Sequence, residues 1–256
     1  MPYCANTFYR FYDGKRGKFG YPLILIHGIG GTHMSWPAVF RRLSSQNVYA
    51  VDLPGHGKSM NPACTSMNGL LSHLMDFINC MGFYHVLLVG FSLGGALALE
   101  YTKAFPERVK GLVTISCASR FDIPEEIINY SHSPAKISKA AEIFSEAAFH
   151  PLFPPANRRK ILEPLSSVDA AVLEADFHIS RDFRFIMPQQ PLEIPFLIIS
   201  GENDQITPPR CLWPLKSIST FAETAIIPHA GHMVIYEKTE QVMDCLLGFL
   251  GNRRFL

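Results

Sequence analysis

Ser92 is the residue of this chain whose surroundings most directly suggest covalent chemistry. It lies in the stretch Gly90-Phe91-Ser92-Leu93-Gly94-Gly95, which has the pattern G-x-S-x-G. The run His85–Val89 has the length and composition of a buried strand, and Ala96–Tyr101 consists of good helix formers. A strand that turns directly into a helix through this pattern exposes the serine hydroxyl at the tip of a strained turn. The sequence therefore predicts that Ser92 is a nucleophile.

A serine hydroxyl becomes strongly nucleophilic only when a base takes its proton and an acidic group orients that base. In a parallel sheet the functional groups collect at the carboxyl ends of strands, so both partners are expected directly after later strands. Asp204 follows the predicted strand Pro195–Ser200, and His232 follows the last predicted strand, where Gly231 allows a tight turn. The sequence thus predicts a triad of Ser92, His232 and Asp204.

Other residues could fill the two supporting positions. Glu202 is a close neighbour of Asp204, and Asp122 follows an earlier predicted strand, so either one is an alternative acid. His229 also follows the last predicted strand, but its position favours a place at the strand end or on the surface.

Attack on an acyl carbon produces an oxyanion, which needs preorganised hydrogen-bond donors. The backbone N–H of Leu93, at the start of the predicted helix, is expected to be one donor. The other is expected to be the N–H of Ile29, because the glycines of the loop His27–Gly31 permit a close approach. The predicted oxyanion hole therefore consists of Ile29 and Leu93.

Two glycine-rich stretches match nucleotide-binding motifs only in part. After Gly28 and Gly30, the third glycine of G-x-G-x-x-G is replaced by His33. Gly57-Lys58-Ser59 resembles the end of a phosphate-binding loop, but Asp52 stands where its first glycine is required. The sequence therefore predicts no nucleotide cofactor.

Apolar runs of strand length alternate with helical stretches along most of the chain. The predicted strands are Phe8–Tyr12, Pro22–Ile26, Val48–Val51, His85–Val89, Gly111–Ser116, Pro195–Ser200 and Glu223–Ile227. Besides the helix after Ser92, the predicted helices are Ser35–Leu43, Leu70–Met81, Ala135–Phe149 and a closing helix Val234–Leu250. This alternation predicts an α/β fold with a mostly parallel sheet covered by helices on both faces.

Residues 118–190 differ from the rest, because they contain no strand-like run and are interrupted by prolines. We predict that they form a small helical cap, inserted between two parts of the core at 1–117 and 191–256. The large side chains of this cap are mostly apolar, which predicts an apolar acyl pocket beneath it. The residues predicted to bind substrate are Phe144 and Phe177, together with Arg181 and Arg184, which could hold a substrate carboxylate.

The composition describes a globular chain of 256 residues with a net charge of +1, which predicts neither a nucleic-acid partner nor a membrane partner. No apolar run approaches the roughly 18 residues of a membrane-spanning helix, and the N-terminus lacks the pattern of a signal peptide, so a cytoplasmic location is expected. The cysteines have no metal-type spacing and are interpreted as mostly buried free thiols in a reducing compartment, with no metal site. They are Cys4, Cys64, Cys80, Cys117, Cys211 and Cys245.

The chain order Ser92, Asp204, His232 resembles that of the α/β-hydrolase fold. The resemblance covers nearly the whole chain outside residues 118–190 and rests on five stretches. They are His27-Gly28, Asp52–Ser59, Gly90–Gly95, Gly201–Asp204 and Gly231-His232. The chain is similar to the small cap-bearing esterase group, which includes pimeloyl-carrier-protein methyl ester esterases, enol-lactonases, cofactor-free haloperoxidases and meta-cleavage C–C hydrolases. The resemblance implies a lid, no cofactor and no particular substrate. Haloalkane dehalogenases and epoxide hydrolases of this fold carry aspartate at the nucleophile position, where this chain has Ser92, so the resemblance argues against both.

These features predict a serine hydrolase that cleaves small carboxylic esters of short to medium acyl chains through an acyl-enzyme. A C–C bond hydrolase or lactonase with the same triad is the alternative among enzymes. A slow-turnover ligand receptor on the same fold is the alternative of another class. The basic run Arg158-Arg159-Lys160 could dock an acidic acyl-carrier protein, although three charges on a helix are more often simply a solvated face.

Overall fold

A computed structural model describes residues 2–14, 20–133 and 135–251. In this part of the chain eight strands form one sheet in the order β1-β2-β4-β3-β5-β6-β7-β8. They are β1 (Tyr3–Cys4), β2 (Thr7–Tyr12), β3 (Leu23–Ile26), β4 (Val48–Val51), β5 (Val86–Phe91), β6 (Val109–Ile115), β7 (Leu192–Gly201) and β8 (Ser219–Ile227). β2 is antiparallel to both of its neighbours, and the other pairs are parallel. The predicted mostly parallel sheet is confirmed.

The central strands are buried on both faces of the sheet. Every residue of β3 and of β5 is buried. Because successive side chains of a strand point to opposite faces, this pattern requires a covering layer on each side.

Ten α-helices accompany the sheet within the described residues. They are α1 (Ala38–Arg41), α2 (Met67–Cys80), α3 (Leu93–Ala104), α4 (Glu125–Ser131), α5 (Ile137–Ala148), α6 (Pro155–Leu162), α7 (Ala170–Asp182), α8 (Trp213–Lys216), α9 (Val234–Glu237) and α10 (Thr239–Leu250). None of the helices in these parts of the chain is long and apolar enough to cross a bilayer.

Three local predictions differ from the structure. The predicted helix Ser35–Leu43 is reduced to α1, because the residue before Pro37 is held in an extended conformation and the helix can begin only afterwards. The closing helix is divided into α9 and α10 at Lys238, whose φ of −138° and ψ of 47° are not helical. The strand predicted at the sheet edge, β2, is covered on its outer side by the short β1.

The segment between β6 and β7 contains α4 to α7 and lies over the carboxyl end of the sheet. Its two ends meet, because Arg120 and Arg184 form an antiparallel bridge and the N–H of Phe185 donates to the carbonyl oxygen of Ser119 at 2.8 Å. We refer to residues 118–190 as the cap; these boundaries stay a prediction.

The cysteine interpretation is wrong for two residues. Cys4 in β1 and Cys80 at the end of α2 form a disulfide across a sequence separation of 76 residues. The other four cysteines are unpaired, as the sequence suggested. Sequence spacing gave no sign of this contact, because it depends on how β1 folds back beside α2.

Candidate active site

Ser92 is the single residue between β5 and α3, and its backbone is strained. Its φ of 53° lies in the left-handed region, which costs free energy for any residue with a side chain. A Cβ atom at Gly94 would collide with the carbonyl oxygen of Ile26, and one at Gly90 would collide with the backbone of Gly94. Gly90 therefore lets β5 and α3 converge tightly around Ser92, and Gly94 lets α3 pass close to the end of β3.

The three predicted catalytic side chains form one hydrogen-bond chain. Nε2 of His232 lies 2.8 Å from Oγ of Ser92. Nδ1 of the same ring lies 2.9 Å from Oδ2 and 3.1 Å from Oδ1 of Asp204. Because an ionised carboxylate can only accept, Nδ1 carries the proton, and Nε2 is then free to accept the hydroxyl proton of Ser92.

Asp204 is held in place by its own loop. Its Oδ1 accepts the backbone N–H groups of Ile206 at 2.9 Å and of Thr207 at 2.8 Å, and its Oδ2 accepts the hydroxyl of Thr207 at 2.6 Å. Burial alone would raise the pKa of Asp204, but its electrostatic interaction with the His232 ring and the hydrogen bonds from His232 and Thr207 hold that pKa below its usual value. The buried group therefore remains a carboxylate that can orient His232.

The alternative acids and base have other contacts. Glu202 accepts the backbone N–H of His229 at 3.3 Å, and His229 packs its ring near another histidine. Asp122 forms ion pairs with Arg120 at 3.1 Å and Arg210 at 2.8 Å. The structure does not bring any of these alternatives to Ser92.

The loop that carries His232 is fixed by residues that sequence reasoning missed. The carboxylate of Glu237 accepts the N–H of Gly231 through one oxygen and the N–H of His150, in the cap, through the other, each at 2.9 Å. The hydroxyl of Ser116 donates to the carbonyl oxygen of His232 at 2.6 Å. Burial raises the pKa of Glu237, although the two N–H donors act in the opposite direction. These contacts hold the His232 backbone between the sheet and the cap.

The loop after β3 passes directly against the nucleophile. A Cβ atom at Gly28 would lie 3.0 Å from Cβ of Ser92. His27 holds this loop, because its Nε2 accepts the N–H of Leu53 at 3.0 Å and its Nδ1 donates to the carbonyl oxygen of Gly28 at 2.8 Å. Burial lowers the pKa of His27 to about 4, so the ring is neutral and structural.

The two predicted oxyanion donors flank this contact. Ile29 lines the cavity above Ser92, and Leu93 is the first residue of α3. Within the described chain, neither backbone N–H donates to a protein acceptor. Both N–H groups are therefore free to donate a hydrogen bond to an oxyanion, and their catalytic role stays a prediction.

A buried carboxylate of the cap contacts the same loop. Oδ2 of Asp176 in α7 accepts the N–H of Gly30 at 2.8 Å and Nε2 of His56 at 2.9 Å. Nδ1 of His56 lies 2.9 Å from the carbonyl oxygen of Pro54, so both ring nitrogens face acceptors and the ring is an imidazolium. Burial alone would lower the pKa of His56, but the charge of Asp176 raises it above its usual value. This ion pair joins the cap to the core beside the predicted oxyanion hole.

A cavity of about 330 Å³ lies above Ser92, between core and cap. Its walls are mostly apolar, and Lys160 is the lining residue with a full charge. The lining residues are Gly28–Ser35 except His33, Phe91, Ser92, Phe144, Lys160–Leu162, Pro164, Leu165, His232, Met233 and Tyr236.

The residues predicted to bind substrate are only partly brought to this cavity. Phe144 lines it, and Phe177 packs behind Phe144 with ring centroids 5.7 Å apart. Arg181 is paired with Asp182 at 2.7 Å, and Arg184 donates to the carbonyl oxygens at the end of α7. Phe177, Arg181 and Arg184 therefore do not line the cavity: the first two point elsewhere from α7, and Arg184 lies after the end of that helix, in the bridge with Arg120.

The basic run 158–160 is not a uniform solvated face. Arg158 donates to the backbone carbonyl oxygens of His150, Pro151 and Phe153 within the cap. The last member of the run lines the cavity. Docking of an acidic carrier protein stays a prediction.

Comparison with known proteins agrees with the fold described above. A family model described as "Alpha/beta hydrolase family" matches residues 23–244. An enol-lactonase from Burkholderia xenovorans LB400 superposes with a TM-score of 0.83 over 96% of each chain at 17% sequence identity. The α/β-hydrolase fold with a helical cap insertion, implied by the sequence resemblance, is confirmed.

The chain is also similar in sequence to curated proteins with different activities. It is 29% identical to the dihydrolipoyllysine-residue acetyltransferase component of an acetoin cleaving system from Pseudomonas putida, over 91% of this chain and 64% of that protein. It is 28% identical to a 2-hydroxy-6-oxo-6-(2'-aminophenyl)hexa-2,4-dienoic acid hydrolase from Metapseudomonas resinovorans, over 93% of this chain and 87% of the other. It is 25% identical to a pimeloyl-[acyl-carrier protein] methyl ester esterase from Edwardsiella ictaluri, over 90% of this chain and 93% of that protein.

Proposed function

The chain belongs to the alpha/beta hydrolase family, and from that premise we propose that it cleaves carboxylic esters with short to medium acyl chains. The observation that carries the proposal is the hydrogen-bond chain from Asp204 through His232 to Ser92, at the base of an apolar cavity. The similarity to a methyl ester esterase supports the same substrate class.

The proposed reaction has two steps. Nε2 of His232 takes the hydroxyl proton while Oγ of Ser92 attacks the ester carbonyl carbon, and the N–H groups of Ile29 and Leu93 stabilise the resulting oxyanion. The tetrahedral intermediate collapses, His232 gives its proton to the leaving alcohol, and an acyl-enzyme remains. A water molecule then reacts by the same route, which releases the acid and restores Ser92.

The size of the cavity supports the proposed acyl length. Its volume of about 330 Å³ is at the lower end of the range for small-molecule sites, which runs from about 300 to 1,000 Å³. Each methylene buried against its apolar wall contributes about 0.8 kcal/mol, or about fourfold in kcat/KM. We expect kcat/KM to rise from acetate to butyrate or hexanoate, and to fall once the chain exceeds the cavity.

A series of p-nitrophenyl esters from two to sixteen carbons tests this proposal with purified protein. A maximum at four to six carbons supports it, whereas a preference for sixteen carbons contradicts the small acyl pocket. The same assay distinguishes an enzyme from a receptor. An enzyme forms many equivalents of p-nitrophenol per chain at a steady rate, whereas a receptor would give a burst of one equivalent and then almost no product.

Lys160 favours a second candidate within the same family, the hydrolysis of a substrate with a distal carboxylate. It is the fully charged residue of the cavity lining, and no ion pair of Lys160 is seen in the described chain. A C–C hydrolase or lactonase acting on a carboxylate-bearing substrate would use this charge, and the similarity to a dienoic acid hydrolase is in line with it.

The two candidates are separated by comparing neutral and anionic substrates in Lys160→Gln. If the natural substrate is anionic, the variant loses kcat/KM toward a hemisuccinate ester or a dienoate but not toward p-nitrophenyl butyrate. The matched control is Arg159→Gln, which removes an exposed charge from the same helix without changing the cavity lining. An equal change in kcat/KM toward the neutral and the anionic substrate would exclude the hypothesis of an anionic natural substrate.

A further inference from the structure

Three side chains of metal-ligating type meet on the cap, on a different face from the cavity. His132 directly follows α4, and Glu174 and His178 lie one turn apart on α7. Nδ1 of His132 is 3.0 Å from Oε1 of Glu174, and Nε2 of His178 is 4.0 Å from the same oxygen. The three ligand atoms all lie within 4.8 Å of one another.

The helix geometry explains why the two members on α7 share a face. Residues four apart on a helix are neighbours on its surface, so Glu174 and His178 point the same way. Asp176, two positions along, lies about 200° around the helix and faces the core, where it binds Gly30 and His56. The outer cluster and the inner ion pair thus occupy opposite faces of α7 and do not compete.

One polar atom of the cluster lacks a hydrogen-bond partner. Nε2 of His178 is buried and makes no hydrogen bond within the described part of the chain. A buried ring nitrogen without a partner is unfavourable, and a metal ion would satisfy its lone pair. The nearby positive charge of Arg181 is offset by its two hydrogen bonds to Asp182, at 2.7 and 2.9 Å.

We propose that His132, Glu174 and His178 bind a divalent transition metal, with Zn²⁺ as the preferred ion. Two imidazole nitrogens and one carboxylate are a ligand set that zinc uses, whereas magnesium and calcium favour oxygen ligands. Metal–ligand bonds of about 2.0–2.2 Å in a tetrahedral site place ligand atoms about 3.4 Å apart. The observed 3.0 and 4.0 Å lie on either side of this value, and His132, with 55% of its side chain exposed, has room to close the remaining distance.

A metal at this position would act as a clamp within the cap. It would join the end of α4 to α7, and α7 carries the carboxylate that holds the loop beside Ser92. The site would stabilise the cap and would not supply a catalytic metal, because none of its three ligands lines the cavity. This inference is independent of which substrate the enzyme cleaves.

Isothermal titration of the metal-free full chain with ZnCl₂ tests the proposal, using protein without a polyhistidine tag. We expect one Zn²⁺ per chain and a zinc-dependent rise in the midpoint of thermal unfolding. Loss of a residue that only hydrogen-bonds to a metal ligand weakens metal binding about 10–100-fold. His178→Gln and Glu174→Gln each remove a ligand itself, so we expect them to weaken zinc affinity by at least that factor. His132→Gln should do the same, and because His132 is exposed, this variant separates loss of a ligand from loss of folding.

The matched control is His85→Gln, a substitution at the opposite end of the sheet, just before β5. It should bind zinc with unchanged affinity and show the same thermal shift. The proposal is overturned if the wild-type chain binds no zinc, or if zinc binding persists undiminished in His178→Gln and His132→Gln. The latter result would place the ion elsewhere, for example on the unpaired cysteines.

Discussion

The ion pair between Asp176 and His56 offers a direct test of how the cap is attached to the core. Asp176→Asn keeps the shape of the side chain and retains an oxygen that can accept the N–H of Gly30. It removes the negative charge that faces the imidazolium of His56 at 2.9 Å. The substitution therefore isolates the charge from the packing.

The expected magnitude follows from the burial of both partners. Asp176 is 3% and His56 4% exposed, so solvent screens their interaction little. A hydrogen bond to a charged group contributes about 1.5–3 kcal/mol, and removing one partner of a buried pair costs about 3–5 kcal/mol. Because Oδ2 accepts both hydrogen bonds, an asparagine oxygen in its place can keep both contacts while the charge is lost, so we expect a loss at the lower end of these values, about 2–3 kcal/mol in the free energy of unfolding at about pH 6.

The pH dependence gives the prediction its sign. The folded pKa of His56 is raised above its unfolded value of about 6.5. The stabilisation from its charged form is therefore fully present below about pH 6.5 and is lost as the pH rises through the folded pKa. The difference in unfolding free energy between the wild type and Asp176→Asn should be largest near pH 6 and should shrink toward pH 9.

Urea denaturation followed by tryptophan fluorescence, at several pH values, measures this difference. Asp182→Asn is the matched control, since it removes an exposed carboxylate from the same helix, with 64% of its side chain in solvent. Its effect should be small at every pH. A constant difference between wild type and Asp176→Asn from pH 6 to 9, or no difference at all, would refute the assignment of a buried ion pair.

Three further predictions concern catalysis. Ser92→Ala should lower turnover by about four or more orders of magnitude and abolish labelling by a fluorophosphonate probe; labelling that persists in this variant would remove Ser92 as the nucleophile. Asp204→Asn should lower kcat by about 10⁴ through the wrong tautomer of His232, whereas Asp122→Asn and Glu202→Gln should have far smaller effects in the same assay. Leu165→Ala should enlarge the cavity and move the optimum acyl length upward by one or two methylenes, each changing kcat/KM by about fourfold. Leu152→Ala is its control, because Leu152 is an exposed cap residue, and a shift in both variants would contradict the pocket assignment.

The triad could be predicted from the sequence because each member follows a strand in a short local pattern. Glycines identify the turn at Ser92, and the strands that precede Asp204 and His232 place both residues at the carboxyl edge of one sheet. A parallel sheet then brings together residues that are 140 and 28 positions apart in the sequence. The order of the strands in the sheet therefore determines most of the spatial arrangement of the three catalytic residues.

The contacts of the cap could not be predicted in the same way. Asp176 reaches His56 across 120 residues and Gly30 across 146, and neither pairing has a local motif. The direction of each side chain on α7 depends on how the cap helices pack. Arg181 is therefore able to bind a carboxylate, as predicted, but it lies outside the cavity. The disulfide between Cys4 and Cys80 was missed for the same reason.

The strained turn at Ser92 has a consequence for how this enzyme could evolve. A side chain at Gly90 or Gly94 would collide with backbone atoms, so almost any substitution there would disrupt the packing of α3 against β5 or β3. The opposite wall of the cavity comes from α6 and the segment after it, whose side chains are half-buried or exposed. Mutations can therefore change what the cavity admits without disturbing the reacting atoms. We therefore expect new substrate preferences to arise through substitutions in the cap, because substitutions at Gly90 or Gly94 would cost the enzyme its nucleophile.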